Sequence, residues 1–159
     1  MERYTRAFER FEKAYRKFKE IIENPLFPEI FKEEFVVEIT TKRFEYTYES
    51  MWKTVKEFLR LRGIECNSPK SCFRELLKEG IISEEFEGIL SDIIVLRNTL
   101  VHVYDEKQAK DIYQKLRTKE ILKTLNLLIS LELFHKFEID KHRGFYYGNC
   151  RKIFTKIYS

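Results

Sequence analysis

The chain has 159 residues, 43% hydrophobic and 15% aromatic, enough for one domain with a buried core. Only 5 Gly and 3 Pro occur, which argues against disordered or all-β organisation. A net charge of +4, from 30 basic and 26 acidic residues, is too small to mark a nucleic-acid binder by itself.

The first helix is expected over residues 2–23. Phe8, Phe11, Tyr15, Phe18 and Ile22 recur three or four apart and form one apolar stripe. Around that stripe stand Arg3, Arg6, Arg10, Lys13, Arg16, Lys17 and Lys19, which read first as a solvated face and second as an RNA-facing or partner-facing patch. The start MERYTRAFERF is charged throughout, so no secretory leader is expected. Asn24, Pro25 and Pro28 break the helix. A second helix is expected over 29–62, with Phe44, Tyr48, Met51, Val55 and Phe58 on its buried face, Trp52 and Leu59 widening it, and Gly63 as its stop. Within it, FVVEITT (35–41) is β-branched and locally strand-like. No comparable second strand precedes Gly63, and a lone strand cannot satisfy its backbone, so this segment is assigned to helix.

Ser68-Pro69 opens a short helix to about residue 79, ended by Gly80. Ser83 is expected to cap the next helix, with Glu84 and Glu85 in its first turn and Phe86, Leu90, Ile93, Leu96 and Leu100 on its buried face. Asp105 with Gln108 has the form of a capping box opening a final long helix through residue 134. Connections this short make neighbouring helices antiparallel. The expected fold is therefore all-α: an antiparallel up-and-down bundle of four to five helices over 1–135. A C-terminal extension follows over 136–159, where two Gly and several aromatics suit either a hairpin around 144–148 or a loose tail.

Three cysteines, Cys66, Cys72 and Cys150, with no leader argue for reduced thiols and a cytoplasmic location. The six-residue step from Cys66 to Cys72 is not a zinc-knuckle spacing, and no metal or cofactor is expected. The longest apolar run, 125–133, is interrupted by Asn126, Ser130 and Glu132 and is too short to span a bilayer. Two Gln among many Glu and Lys hint at a thermophilic source.

The run RNTLVHVYDE holds the pair with chemical potential, Arg97 and His102. A histidine can pass protons near neutral pH, and an arginine can clamp a phosphate. Together they suffice for metal-free RNA cleavage, with Asn98 orienting either the phosphate or the histidine. Positions five apart on a helix lie about 140° apart, so Arg97 and His102 do not share a face of a regular helix. A compact site needs the helix to end near His102, or a second chain to complete it. The bland alternative is that these are ion-pair, cap and packing residues.

Three segments, RFEYTYESMWKTVKEFLRLRG (43–63), SPKSCFRELLKEGII (68–82) and ILSDIIVLRNTLVHVYDEKQAKDIYQKL (89–116), resemble the HEPN proteins encoded beside minimal nucleotidyltransferases. They cover about half of the chain, in matching order. That family is helical and usually dimeric, with an R-x4-6-H motif at the dimer interface acting as a metal-independent ribonuclease. The resemblance implies that Arg97 and His102 are catalytic, with Asn98 as the polar residue after the arginine. In the toxin branch the form is R-x4-H-x-Y, which implies AMPylation of Tyr104 by the partner nucleotidyltransferase. A sister branch comprises nucleotidyltransferase substrate-binding proteins, and FEYTYE with MWKT is closer to it, while RNTLVHVY is closer to the toxin branch. The first expectation is a homodimeric endoribonuclease toxin with RNA as substrate and a minimal nucleotidyltransferase antitoxin. The alternative is a non-catalytic substrate-binding or regulatory subunit. The chain lacks the Gly-Ser and paired-Asp signature of a nucleotidyltransferase itself.

Overall fold

The computed structural model describes residues 1–102 and 105–142. The chain divides after Ile129, and residues 1–129 form one compact unit. Within it, α1 (Glu2–Glu23) buries Tyr4, Phe8, Phe11, Tyr15 and Phe18, each three or four residues after the last. That stripe lies against α3 (Glu33–Leu61). Tyr4 meets Phe58 at 6.1 Å and Phe18 meets Phe44 at 5.9 Å between ring centroids, so the two helices run antiparallel. Each fully buried ring contributes on the order of 1.5–3 kcal/mol of apolar transfer, which makes this seam a major part of the core.

The helix expected over 29–62 is two. A short α2 (Phe27–Ile30) carries Pro28 in its first turn, the backbone is extended at Phe31, and α3 starts anew at Glu33. The break re-aims the chain. Val36 and Val37 bury against Tyr113, with Phe27 and Ala109 at the edge, while Phe31 and Phe35 remain exposed. The β-branched stretch 35–41 is helical, as assigned, because Val36, Val37 and Thr40 find a core to enter. Gly63 and Gly80 both take positive φ at the ends of α3 and of α4 (Pro69–Lys78), where a side chain would be strained. Ser68 caps α4 and Ser71 reciprocates, with Pro69 at the helix start as the sequence indicates.

Four further expectations are corrected. Cys66 and Cys72 are joined as a disulfide, with Cα atoms 5.1 Å apart, where reduced thiols were inferred from the odd count and the lack of a leader. The loop residue and the first turn of α4 come within bridging distance, which the count could not reveal. Ser83 makes no side-chain cap. It precedes a single 3₁₀ turn (Glu84–Phe86), after which α5 (Glu87–Leu100) begins. The long final helix is two, α6 (Glu106–Leu116) and α7 (Lys119–His142), with Arg117 and Thr118 between. Leu116 and Ile121 are both fully buried though five apart, and an unbroken helix would set them about 140° apart; the break restores a common buried side. These breaks raise the count from the four or five helices expected to seven α-helices among the described residues. Asp105 does cap α6, accepting from the Gln108 amide at 2.8 Å. The architecture is all-α, with α3 as the hub on which α1, α4 and α6 pack and which α5 touches more lightly. The expected hairpin or tail from 143 onward lies outside the described residues.

Candidate functional site

Arg97 sits in the last turn of α5, on the flank of the face that buries Leu90, Ile93 and Leu96. That position turns its guanidinium toward α3. Nη2 donates to Oε1 of Glu49 at 3.1 Å, and the guanidinium lies 5.9 Å from the Tyr48 ring centre. The other oxygen of Glu49 accepts from the Trp52 indole N–H at 3.1 Å and lies 4.0 Å from the Lys53 ammonium. One carboxylate thus meets three side chains, Trp52 and Lys53 of α3 and Arg97 of α5. Tyr48 is buried, and burial pushes its phenol up to about 12; the Arg97 charge pulls it down and the Glu49 charge pushes it further up. The phenol is therefore neutral across the physiological range and is no base.

His102 lies past the end of α5. Val101 keeps helical backbone and the His102 amide bonds to the Thr99 carbonyl at 3.0 Å, so the turn continues to it. Val95, Asn98, Thr99 and His102, spaced as one helical stripe, are all exposed. Val95 is 58% and Val101 55% exposed, the largest apolar groups at this end of the helix that lack cover. Among the described residues, no hydrogen bond or ion pair joins Arg97 to His102. The structure brings Arg97 to Glu49 and leaves Asn98 and His102 facing outward, in line with the angular offset of the pair. Tyr104 lies outside the described residues.

Beside this end, a cavity of 510 Å³ opens between the starts of α3 and α6, with Leu100 in its wall. Its charged lining has more acid than base, with Glu34, Glu38 and Glu106 against Lys32, beside a 2.9 Å ion pair of Lys110 and Glu33. That pairing raises the Lys110 ammonium above its ordinary range, chiefly through the hydrogen bond to Glu33. A phosphate backbone would meet repulsion here. Among the described residues, no three His, Cys, Asp and Glu side chains converge as metal ligands. No described helix is long and apolar enough to cross a membrane.

Glu49 is the functional candidate that sequence reasoning missed. Its spacing to Trp52 and Lys53 was legible, but its partner Arg97 is 48 residues away in sequence. The fold and these contacts define the class: an all-helical module with a half-exposed arginine–carboxylate contact between α3 and α5, beside an exposed, partly apolar helix stripe. Residues 1–132 match the family described as nucleotidyltransferase substrate binding protein like, and the chain belongs to that family. No curated protein matches the chain.

Proposed function

We propose that this protein is a non-catalytic subunit that binds a separate nucleotidyltransferase and presents or regulates its substrate. The carrying observation is the family match together with the engagement of Arg97 by Glu49, which turns this arginine away from the His102 stripe. A clamp for a scissile phosphate needs an arginine free to neutralise developing charge. Here a carboxylate already neutralises it, and the nearby cavity has more acid than base in its lining. The exposed stripe from Val95 to His102 is the face offered to the partner, because apolar groups rimmed by polar ones favour protein contact. The test is co-purification with a nucleotidyltransferase encoded beside this chain. Val95→Glu, on the stripe, and Val101→Glu, beside it at the end of the helix, should each weaken the complex while circular dichroism stays unchanged. Full-strength binding in both variants would place the interface elsewhere.

A second reading has its own support. Asn98 and His102 are both exposed on one side, and Arg97 keeps guanidinium donors beyond the one given to Glu49. On this reading two copies form a homodimer, one chain's Arg97 and the other's His102 complete an R-x4-H ribonuclease site acting on RNA, and the partner silences it by AMPylation of Tyr104. Incubation of the full chain with RNA in EDTA decides between the two. Cleavage that disappears in Arg97→Ala and His102→Ala, together with a dimeric solution mass, would establish the nuclease toxin. No cleavage at any concentration, with the partner complex intact, leaves the subunit reading.

A further inference from the structure

The antiparallel packing of α1 on α3 leaves a groove of 470 Å³ along one side of the pair. From α1 it is lined by Arg3, Arg6 and Arg10, and from α3 by Lys53, Lys56 and Trp52. Among the described residues the single acid in its wall is Glu57, and Arg60 already holds that carboxylate at 2.8 Å. Arg6 is paired with Glu2, and Lys53 is only loosely near Glu49 at 4.0 Å. Arg3, Arg10 and Lys56 have no ion pair among the described residues. The whole chain carries just +4, so five cations around one groove is a local concentration and not a reflection of composition. Like charges repel, and the helical rise between Arg3 and Arg6 or Arg6 and Arg10, about 5–6 Å, is within the ~8 Å screening length at physiological salt. An anion in the groove would relieve that repulsion.

The shape of the array indicates which anion. Arg3, Arg6 and Arg10 fall on one face of α1 over two turns, an axial run of about 10 Å. Lys53 and Lys56 form a second, shorter row on α3 one turn long. Two facing rows suit a chain of phosphates drawn along the groove better than one compact phosphate group. Trp52 stands in the same wall, half-buried, with its indole N–H tied to Glu49, so its ring is oriented by the protein. An oriented aromatic face beside a row of cations is the combination that binds single strands without sequence preference, with phosphates on the cations and a base stacked on the ring.

We propose that the groove between α1 and α3 is a binding site for single-stranded nucleic acid, with Arg3, Arg10 and Lys56 on its phosphates and Trp52 against a base. The site is separate from the exposed α5 stripe and goes beyond the partner-binding reading. Through Glu49 it is nonetheless joined to Arg97: the carboxylate that orients Trp52 is the one that holds the arginine of α5.

Trp52 is the sole tryptophan of the chain, so its fluorescence reports the groove directly. The full chain is titrated with oligoadenylate of about twelve nucleotides at several salt concentrations, and separately with ATP. The expected result is saturable quenching by the oligonucleotide. Its log affinity should fall with log salt at a slope of about −2, for three phosphates contacted at roughly 0.7 each. Arg3→Glu with Arg10→Glu should weaken binding at least tenfold. Both side chains are exposed, so helix content should be unchanged. Lys56→Glu, on the other helix, should do the same and guards against a local fault in α1. Quenching by ATP at lower concentration than by the oligonucleotide would overturn the proposal in favour of a free nucleotide. Salt-independent binding, no binding, or binding untouched by either charge reversal would overturn it outright.

Discussion

Replacing Arg97 by alanine should cost only a modest part of the chain's stability. Its hydrogen bond to Glu49 joins side chains that are 35% and 38% exposed, so solvent screens the pair to about 0.2–1 kcal/mol. The contact with the Tyr48 ring adds about 0.5–1 kcal/mol at such a site. Glu49 keeps the Trp52 indole as a donor, so no charge is stranded and the cost stays well short of the ~3–5 kcal/mol of a broken buried pair. The total is about 0.7–2 kcal/mol, a fall in Tm of roughly 1–8 °C for a chain of this size. Urea denaturation followed by far-ultraviolet circular dichroism measures it. A double-mutant cycle of Arg97→Ala with Glu49→Gln isolates the pair, and its coupling should be about 0.2–1 kcal/mol. A loss above about 3 kcal/mol, or a coupling above about 2 kcal/mol, would refute the reasoning. Arg97 would then be a structural lock, and any loss of partner binding or cleavage in its variants would report unfolding.

Phe44→Ala opens a cavity at a fully buried ring and should cost roughly 3–5 kcal/mol; with Phe18→Ala the losses should not add, because the rings are 5.9 Å apart, and urea midpoints test both. Thr40→Val should stabilise the protein by about 1 kcal/mol, because the buried Thr40 hydroxyl has no hydrogen-bond partner among the described residues; a fall in Tm would contradict this. Burial holds the folded Tyr48 phenol at about 12 against an ordinary value near 10, so its contribution is fully present below pH ~10 and is lost as pH rises toward 12. Unfolding midpoints of the native chain should accordingly fall in that window, by roughly 2 kcal/mol at its top, more steeply than those of Tyr48→Phe. Cys66→Ser should cost about 2 kcal/mol, since the disulfide closes a short loop with a separation of 6, and non-reducing peptide mapping should recover Cys66 and Cys72 linked.

Local rules written into the sequence determined most of the helical architecture. The stripe of Phe8, Phe11, Tyr15 and Phe18, the Ser68-Pro69 start, the stops at Gly63 and Gly80 and the Asp105 cap all depend on neighbours within one turn, and each is found where the residues indicate. The helical fate of 35–41 also followed, from the lack of a pairing strand. The breaks at Phe31 and Arg117 did not, although the phase slip from Leu116 to Ile121 was visible; which side of each segment is buried depends on helices distant in sequence. The Cys66–Cys72 bridge is likewise a matter of Cα distance, which counting cysteines cannot supply. For the site, helix periodicity alone placed Arg97 and His102 on different sides of α5. Only the tertiary structure decided what each side meets. Packing of α5 on α3 delivers Glu49 to Arg97 across 48 residues, and packing of α1 on α3 gathers two unremarkable basic stretches into one groove, because through-space charge depends on distance in the fold and not along the chain.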